Sequence, residues 1–136
     1  MTQEQKDLLL KDLCGRLPYG VKVQSYNYEE DIETIETLYE INSDGYTSTI
    51  ECDTLKNIHK PYIFPLSSMT EEQRIDLTTY INARIFVNDE ISFQCLFDNT
   101  MDRWRMFFEW CDKNHFDYRG LIPMGLANDA TGLNVY

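Results

Sequence analysis

Two runs of alternating residues, separated by Asp44-Gly45, constrain the fold of this chain more than any other feature. Residues 35–42 alternate β-branched or aromatic side chains with others, and residues 47–53 alternate again. An Asp-Gly pair between such runs is typical of a two-residue hairpin loop, because both loop positions need positive φ. The sequence therefore predicts a β-hairpin over about 34–54.

The register of this hairpin follows from counting, if the Asp-Gly pair forms the whole loop. Leu38 then faces Glu51 across the ladder, and Glu36 faces Asp53. Two carboxylates directly opposite each other repel. We expect the Glu36–Asp53 pair to be either splayed into water or neutralised by a basic group.

Two capping boxes predict where helices begin, because a Thr hydroxyl and a Gln amide three residues later satisfy each other's backbone N–H groups. One box joins Thr2 and Gln5, and the other joins Thr70 and Gln73. Gly15 is expected to end the first helix in a left-handed turn. Helices are predicted over about 3–14, 70–86 and 100–114.

Two further segments have less regular patterns. Residues 57–69 carry two prolines beside Tyr62-Ile63-Phe64, which predicts an extended connector that packs on the body like an irregular edge strand. Residues 91–97 alternate in a way that fits either a strand or a helical turn. The expected fold class is α+β, a small antiparallel sheet packed against three or more helices in a single domain over 1–136. Residues 126–136 are expected to form a flexible tail.

An aromatic stripe runs along the third predicted helix. Its members recur at helical spacing and are Trp104, Phe107, Phe108 and Cys111, flanked by Met106 and Trp110. A stripe this wide fits the centre of the core, and it also fits an exposed interface. The sequence leaves both interpretations open.

Cysteine usage and hydropathy indicate a reducing, aqueous compartment. The cysteines form no Cys-x-x-Cys pair, and we expect four reduced thiols, most of them in the core: Cys14, Cys52, Cys95 and Cys111. No run of residues is long and apolar enough to span a membrane, and the first seven residues are polar. We therefore expect a cytoplasmic protein without membrane contact, metal or cofactor.

The negative charge is concentrated in one window. The net charge is −11, and nine acidic residues lie between Lys22 and Lys56, where no basic residue occurs. Such a field repels nucleic acid and attracts basic protein surfaces, so direct nucleic-acid binding is not expected. The candidate protein-binding acidic face comprises Glu36, Glu40, Glu51 and Asp53. The alternatives are a solvated face that only keeps the protein soluble, or a divalent-cation site, for which no EF-hand motif is present.

Few residues offer catalytic chemistry. The chain lacks the nucleotide-binding, nucleophile-elbow and zinc-protease motifs, and His59 is expected at the surface. One short segment combines an imidazole, a carboxylate, a phenol and a guanidinium, and its candidate ligand-site residues are His115, Asp117, Tyr118 and Arg119. The other interpretation of this segment is a packed helix terminus whose charged groups satisfy the backbone.

Three segments carry a resemblance to a known group of proteins. They are KDLLLKDLC at 6–14, KPYIFPLSSMTEE at 60–72 and NHFDYRGLIPMGLA at 114–127. In this order they resemble segments of uncharacterised small accessory proteins of phages, prophages and mobile elements of anaerobic gut bacteria. Members of that group often continue with a tail rich in Glu, Ala and Pro, where this chain has 128–131 as Asn-Asp-Ala-Thr. The resemblance implies an accessory role and no particular activity.

Taken together, these features favour a non-enzymatic protein that acts through protein–protein interaction, with self-association left open. A sharper form of this hypothesis is an inhibitor whose carboxylates imitate nucleic-acid phosphates. The alternative is a small enzyme or ligand-binding protein that uses the segment from His115 to Arg119.

Overall fold

The computed structural model describes residues 1–27, 29–42, 47–49, 59–86 and 93–136. Within these ranges the fold is α+β, as predicted, with three α-helices and two small sheets. The helices are α1 (Gln3–Arg16), α2 (Glu71–Phe86) and α3 (Phe93–Lys113). The strands are β1 (Lys22–Asn27), β2 (Ile32–Ile41), β3 (Thr47–Thr49), β4 (Tyr62–Pro65), β5 (Phe116–Asp117) and β6 (Asn128–Asp129).

The antiparallel sheet has the order β1-β2-β3. Strands β1 and β2 form a hairpin in which Val23 pairs with Glu36. In the β2–β3 ladder Leu38 pairs with Thr49, so the predicted pairing of Leu38 with Glu51 is wrong. The reason is an irregularity of the ladder between Leu38 and Glu40, and the ladder already ends with the pair of Ile41 and Thr47. The Asp44-Gly45 turn and the predicted Glu36–Asp53 pair lie outside the described residues.

The second sheet is parallel and has β4 in its middle, between β5 and β6. The prediction of an edge strand is therefore wrong for this segment. Pro61 precedes the strand and Pro65 is its last residue, so neither proline interrupts it, and the N–H of Phe64 donates to the His115 carbonyl at 2.8 Å. On the other side, the Ala130 N–H donates to the carbonyl of Ile63 at 2.9 Å.

The helix starts confirm both capping boxes. The Thr2 hydroxyl accepts from the Gln5 N–H at 3.2 Å, and the Gln5 amide oxygen accepts from the Thr2 N–H at 2.9 Å. Thr70 and Gln73 make the same two bonds. At the other end, Gly15 does not end α1, since the helix continues to Arg16 and a 3-10 turn follows. The left-handed residue is Gly20, with φ of 67°.

Helix α3 begins seven residues earlier than predicted. Residues 93–97 are helical, so the alternative of a strand is wrong for them. The aromatic stripe on α3 is divided: Met106, Trp110 and Cys111 are buried, whereas Trp104 is 55% and Phe108 38% exposed. The core interpretation therefore holds for the buried part of the stripe, and an interface at its exposed part stays a prediction.

Two clusters of buried side chains join the elements. The larger cluster packs Leu9 and Leu13 of α1 against β1, β2, β4 and the residues after β5, where Leu121, Leu126 and Ala127 lie. The smaller cluster packs Trp110 and Cys111 of α3 against Phe116. Trp110 stacks on Phe116 with ring centroids 5.4 Å apart. Helix α1 and the C-terminal half of α3 therefore meet beside β5.

Candidate functional site

A buried ion pair lies on the inner face of α1. Asp12 and Arg16 are both fully buried and one helical turn apart. The Arg16 Nε donates to Asp12 Oδ2 at 2.7 Å, and Nη2 donates to Oδ1 at 3.0 Å. This bidentate geometry is the strongest form that an arginine–carboxylate contact takes.

The same guanidinium also binds the backbone of α3 and β5. Its Nη1 donates to the Cys111 carbonyl at 3.2 Å, and Nη2 donates to the Phe116 carbonyl at 2.7 Å. The last carbonyls of a helix have no partner within the helix, and Arg16 supplies one for α3. Arg16 thus joins α1 to the C-terminal end of α3.

A second arginine completes the network. The Arg119 Nε donates to Asp12 Oδ1 at 3.1 Å, and its guanidinium lies 4.5 Å from the Tyr118 ring centroid. Asp112 completes the set, because its Oδ1 lies 3.9 Å from Arg16 Nη2. Two aspartates and two arginines therefore balance each other's charge.

The pKa values in this network follow from burial and from the neighbouring charges. Burial raises the pKa of Asp112 above its ordinary value, and the nearby Arg16 charge only partly offsets it. Burial alone would lower the pKa of Arg16, but the hydrogen bond and charge of Asp12 outweigh it and raise that pKa. Burial also raises the pKa of the Cys111 thiol to about 12, so this thiol is protonated at neutral pH.

His115 is placed separately from this network. It is buried, has φ of 62°, and stacks on Tyr136 with ring centroids 3.8 Å apart and planes 11° apart. Within the described residues its Nδ1 has no hydrogen-bond partner. Burial, and then the charge of Arg16, lower the pKa of His115 to about 4.

Asp117 caps a turn. Its two carboxylate oxygens accept from the N–H groups of Leu121 and Ile122, each at 2.9 Å. The four residues predicted as one ligand site thus lie in three environments: His115 under Tyr136, Asp117 in a turn, and Tyr118 with Arg119 in the ion network. Sequence reasoning missed Asp12, Arg16, Asp112 and Tyr136. The usable signal was the spacing of Asp12 and Arg16, which share a helical stripe with Leu9 and Leu13.

The predicted acidic residues also differ in their surroundings. Glu36 is half-buried on the inner side of β2 and accepts hydrogen bonds from the hydroxyls of Thr34, at 2.8 Å, and Thr49. Glu40 is exposed, and Glu51 and Asp53 lie outside the described residues. His59 is half-buried rather than on the surface. Burial lowers the pKa of His59, and the charge of Glu36 partly opposes this.

The outer side of the β1–β2 hairpin combines apolar and acidic groups. Ile35 is 45% exposed and Tyr39 65% exposed, although both lie in the central strand of the sheet. Exposed carboxylates border them at Glu33 and Glu40 of β2 and at 29–31 in the turn before it. We call this surface, formed by Ile35, Tyr39 and the acids at 29–31, 33 and 40, the outer sheet face.

The described ranges hold neither a cluster of metal ligands nor a membrane-spanning helix. No group of three or more His, Cys, Asp or Glu side chains there is arranged to hold a metal ion. No helix in those ranges is both long and apolar enough to cross a membrane. A shallow depression of about 210 Å³ lies on α2 beside Arg74 and Ile75. Cys14 is an exposed thiol and Cys111 is a buried one, while the side chains of Cys52 and Cys95 lie outside what the structure describes, so the expectation that most cysteines lie in the core stays a prediction.

The stability of the protein is expected to fall in mild acid because of His115. Its pKa of about 4 lies below the ordinary value of 6.5, so between these pH values the unfolded chain binds more protons. The stabilisation is complete above about pH 6.5 and is lost as the pH falls toward 4. Urea unfolding at pH 7 and at pH 5 should show that the free energy of unfolding falls more for the native chain than for His115→Asn. Asparagine is the control because it tolerates the positive φ. Equal losses, or an NMR pKa of His115 near 6.5, would contradict this.

Comparison with protein-family models, with curated proteins and with solved structures finds no match for this chain.

Proposed function

We propose that this chain is a non-enzymatic interaction protein that binds a basic partner protein through the outer sheet face. The observation that carries the proposal is the exposure of Ile35 and Tyr39 in the central strand of the sheet, with carboxylates around them. The solvated side of an antiparallel sheet is ordinarily polar. Apolar and aromatic side chains left there, with a polar rim, are typical of an interface with another protein.

Charge determines the kind of partner. Exposed carboxylates lie along β2 and in the turn before it, at Glu33, Glu40 and 29–31. The Lys22 ammonium donates to the Thr37 hydroxyl of the same strand at 2.7 Å, so these carboxylates outnumber it, and basic residues are absent from the sequence between Lys22 and Lys56. A partner with lysines or arginines around an apolar centre would match both features. Long-range attraction between such surfaces raises the association rate and weakens with salt.

The resemblance to phage and mobile-element accessory proteins supports a role against or beside a host protein. In the sharper form of the proposal, the partner is a nucleic-acid-binding enzyme, and the carboxylates occupy the positions of phosphates. The alternative of a small enzyme at His115, Asp117, Tyr118 and Arg119 is less favoured, because Asp117 and Arg119 already hold internal partners.

Site-specific photo-crosslinking in a host-cell lysate tests the proposal. A benzophenone amino acid in place of Tyr39 is expected to form a discrete adduct with one basic protein. The matched control carries the same group in place of Ile75, which is 60% exposed on α2. Adducts of the same protein from both positions, or from neither, would contradict binding through the outer sheet face.

Charge-matched variants measure the electrostatic contribution with the purified partner. Glu30→Gln/Glu33→Gln/Glu40→Gln is expected to weaken binding about tenfold at low salt, and less at high salt. Glu4→Gln/Glu71→Gln/Glu72→Gln removes the same charge from exposed positions on α1 and α2 and should leave affinity nearly unchanged. Competition by duplex DNA would favour the phosphate-mimic form, and its absence would exclude that form alone.

A further inference from the structure

Tyr136 fills a recess whose walls recognise each part of a phenol. The His115 ring stacks on one face of the Tyr136 ring, and the Phe64 ring lies against it with centroids 5.8 Å apart. The Tyr136 hydroxyl donates to the Tyr62 carbonyl at 2.6 Å and accepts from the Lys22 N–H at 3.0 Å. Both hydrogen-bonding capacities of the hydroxyl are therefore used.

The groups that form the recess belong to elements held together by other contacts. Lys22 is fixed in β1 by its pairing with β2, and Tyr62 is fixed in β4 by its pairing with β6. His115 lies in the sharp turn between α3 and β5, and its carbonyl accepts from Phe64. The recess is thus built by the body of the fold, and Tyr136 enters it from the segment after β6.

A buried polar atom lies beside the recess. His115 is more than nine-tenths buried, and its Nδ1 has no partner among the described residues. Such an atom ordinarily finds a hydrogen bond. Because an imidazole nitrogen bonds in the plane of its ring, the stacked phenol of Tyr136 leaves this atom without a partner. Burial raises the pKa of Tyr136 to about 12, which keeps a phenol in this recess neutral and able to donate.

The segment that carries Tyr136 covers the recess lightly. Residues 131–134 are exposed, and two of them, Gly132 and Asn134, have positive φ. The N–H of Leu133 donates to the Ala130 carbonyl at 3.1 Å, so the turn after β6 would survive release of Tyr136. We call residues 131–136 the strap.

We propose that the recess is a binding site for a phenol ring, which the strap fills with Tyr136 and which an external phenol occupies when the strap is released. The ligand is a small phenol or the tyrosyl side chain of another protein. The site is independent of the outer sheet face, and it places His115, one of the residues predicted to bind a ligand, in the wall of the recess.

Binding of p-cresol, the side-chain analogue of tyrosine, tests the proposal by NMR of the full chain. Tyr136→Ala is expected to bind p-cresol with a millimolar Kd and to shift the amide signals of Lys22 and His115. The native chain should bind at least about tenfold more weakly, because the strap competes, and saturation should move its signals at 131–135 toward unfolded positions. Toluene, which lacks the hydroxyl, should bind Tyr136→Ala about tenfold more weakly than p-cresol.

Equal binding of toluene and p-cresol, equal binding to the native chain, or no binding to Tyr136→Ala would each overturn the proposal. If Tyr136→Ala does not fold, Tyr136→Phe keeps the stacked ring and removes only the two hydrogen bonds. Tyr136→Phe should then bind p-cresol more tightly than the native chain does, and equal or weaker binding would also overturn the proposal. N-acetyl-tyrosinamide distinguishes the two sources of the phenol: affinity close to that of p-cresol assigns a tyrosyl side chain, and exclusion assigns a small phenol.

Discussion

Replacement of Arg16 by methionine is expected to lower the free energy of unfolding by about 3–5 kcal/mol. The guanidinium is fully buried and satisfies Asp12, the Cys111 carbonyl and the Phe116 carbonyl. Methionine fills much of the same volume and supplies no donor, so three buried acceptors lose a partner. Arg119 still contacts Asp12, which keeps the cost from rising further. Urea unfolding followed by circular dichroism measures the effect.

The control for this variant is Lys11→Met, the same kind of change at an exposed position of the same helix. It should alter the free energy of unfolding by less than about 0.5 kcal/mol. Arg16→Lys keeps the charge but loses the bidentate geometry of the guanidinium. Its loss in free energy of unfolding should lie between those of Arg16→Met and Lys11→Met. In the background Asp12→Asn, the loss on removing Arg16 should be smaller, because no unpaired charge remains. An Arg16→Met protein within about 1 kcal/mol of the native one would contradict the role assigned to this side chain.

Gly15→Ala is expected to destabilise the protein by about 1–3 kcal/mol, which reverses the usual sign of this substitution. In an exposed helix, alanine in place of glycine gains about 0.5–1 kcal/mol. Here a Cβ on Gly15 would lie 2.6 Å from Asp112 Oδ2 and 3.2 Å from its Cγ. If Asp112 withdrew from Gly15, it would weaken its ion pair with Arg16, whose Nη2 lies 3.9 Å from Asp112 Oδ1.

A double-mutant cycle separates this steric effect from helix propensity. In the background Asp112→Ala, the clashing atoms are gone, and Gly15→Ala should be neutral or stabilising by up to about 1 kcal/mol. The change of sign between the two backgrounds, measured by urea unfolding, is the expected result. Stabilisation by Gly15→Ala in the native background would show that α1 and α3 are not in close contact at this position.

The features that the sequence predicted well are local. Thr2 with Gln5 and Thr70 with Gln73 specify helix starts through contacts over three residues, and both boxes form as expected. The β character of 35–41 is equally local. Alternation cannot tell which side of a strand faces the core, and here Leu38 is buried while Ile35 and Tyr39 are exposed.

The features that the sequence did not predict depend on distant partners. Asp12 and Arg16 are charged, and their burial is favourable only because carbonyls about 100 residues away and Arg119 complete their hydrogen bonds. The contact between Tyr136 and His115 also depends on the tertiary fold, which brings the two residues together. The pattern at 91–97 fits two local structures, and residues from 93 onward are helical.

The position of β4 in the middle of the parallel sheet bears on how the chain folds during its synthesis. The ribosome makes the N-terminal residues first, yet both strands that flank Tyr62–Pro65 come from roughly fifty residues or more further along. Leu9 and Leu13 likewise cannot complete their packing until Leu121, Leu126 and Ala127 have been synthesised. Because closing such long loops is slow, the nascent chain is expected to remain largely unfolded until Ala127 has emerged, and then to fold in one cooperative step.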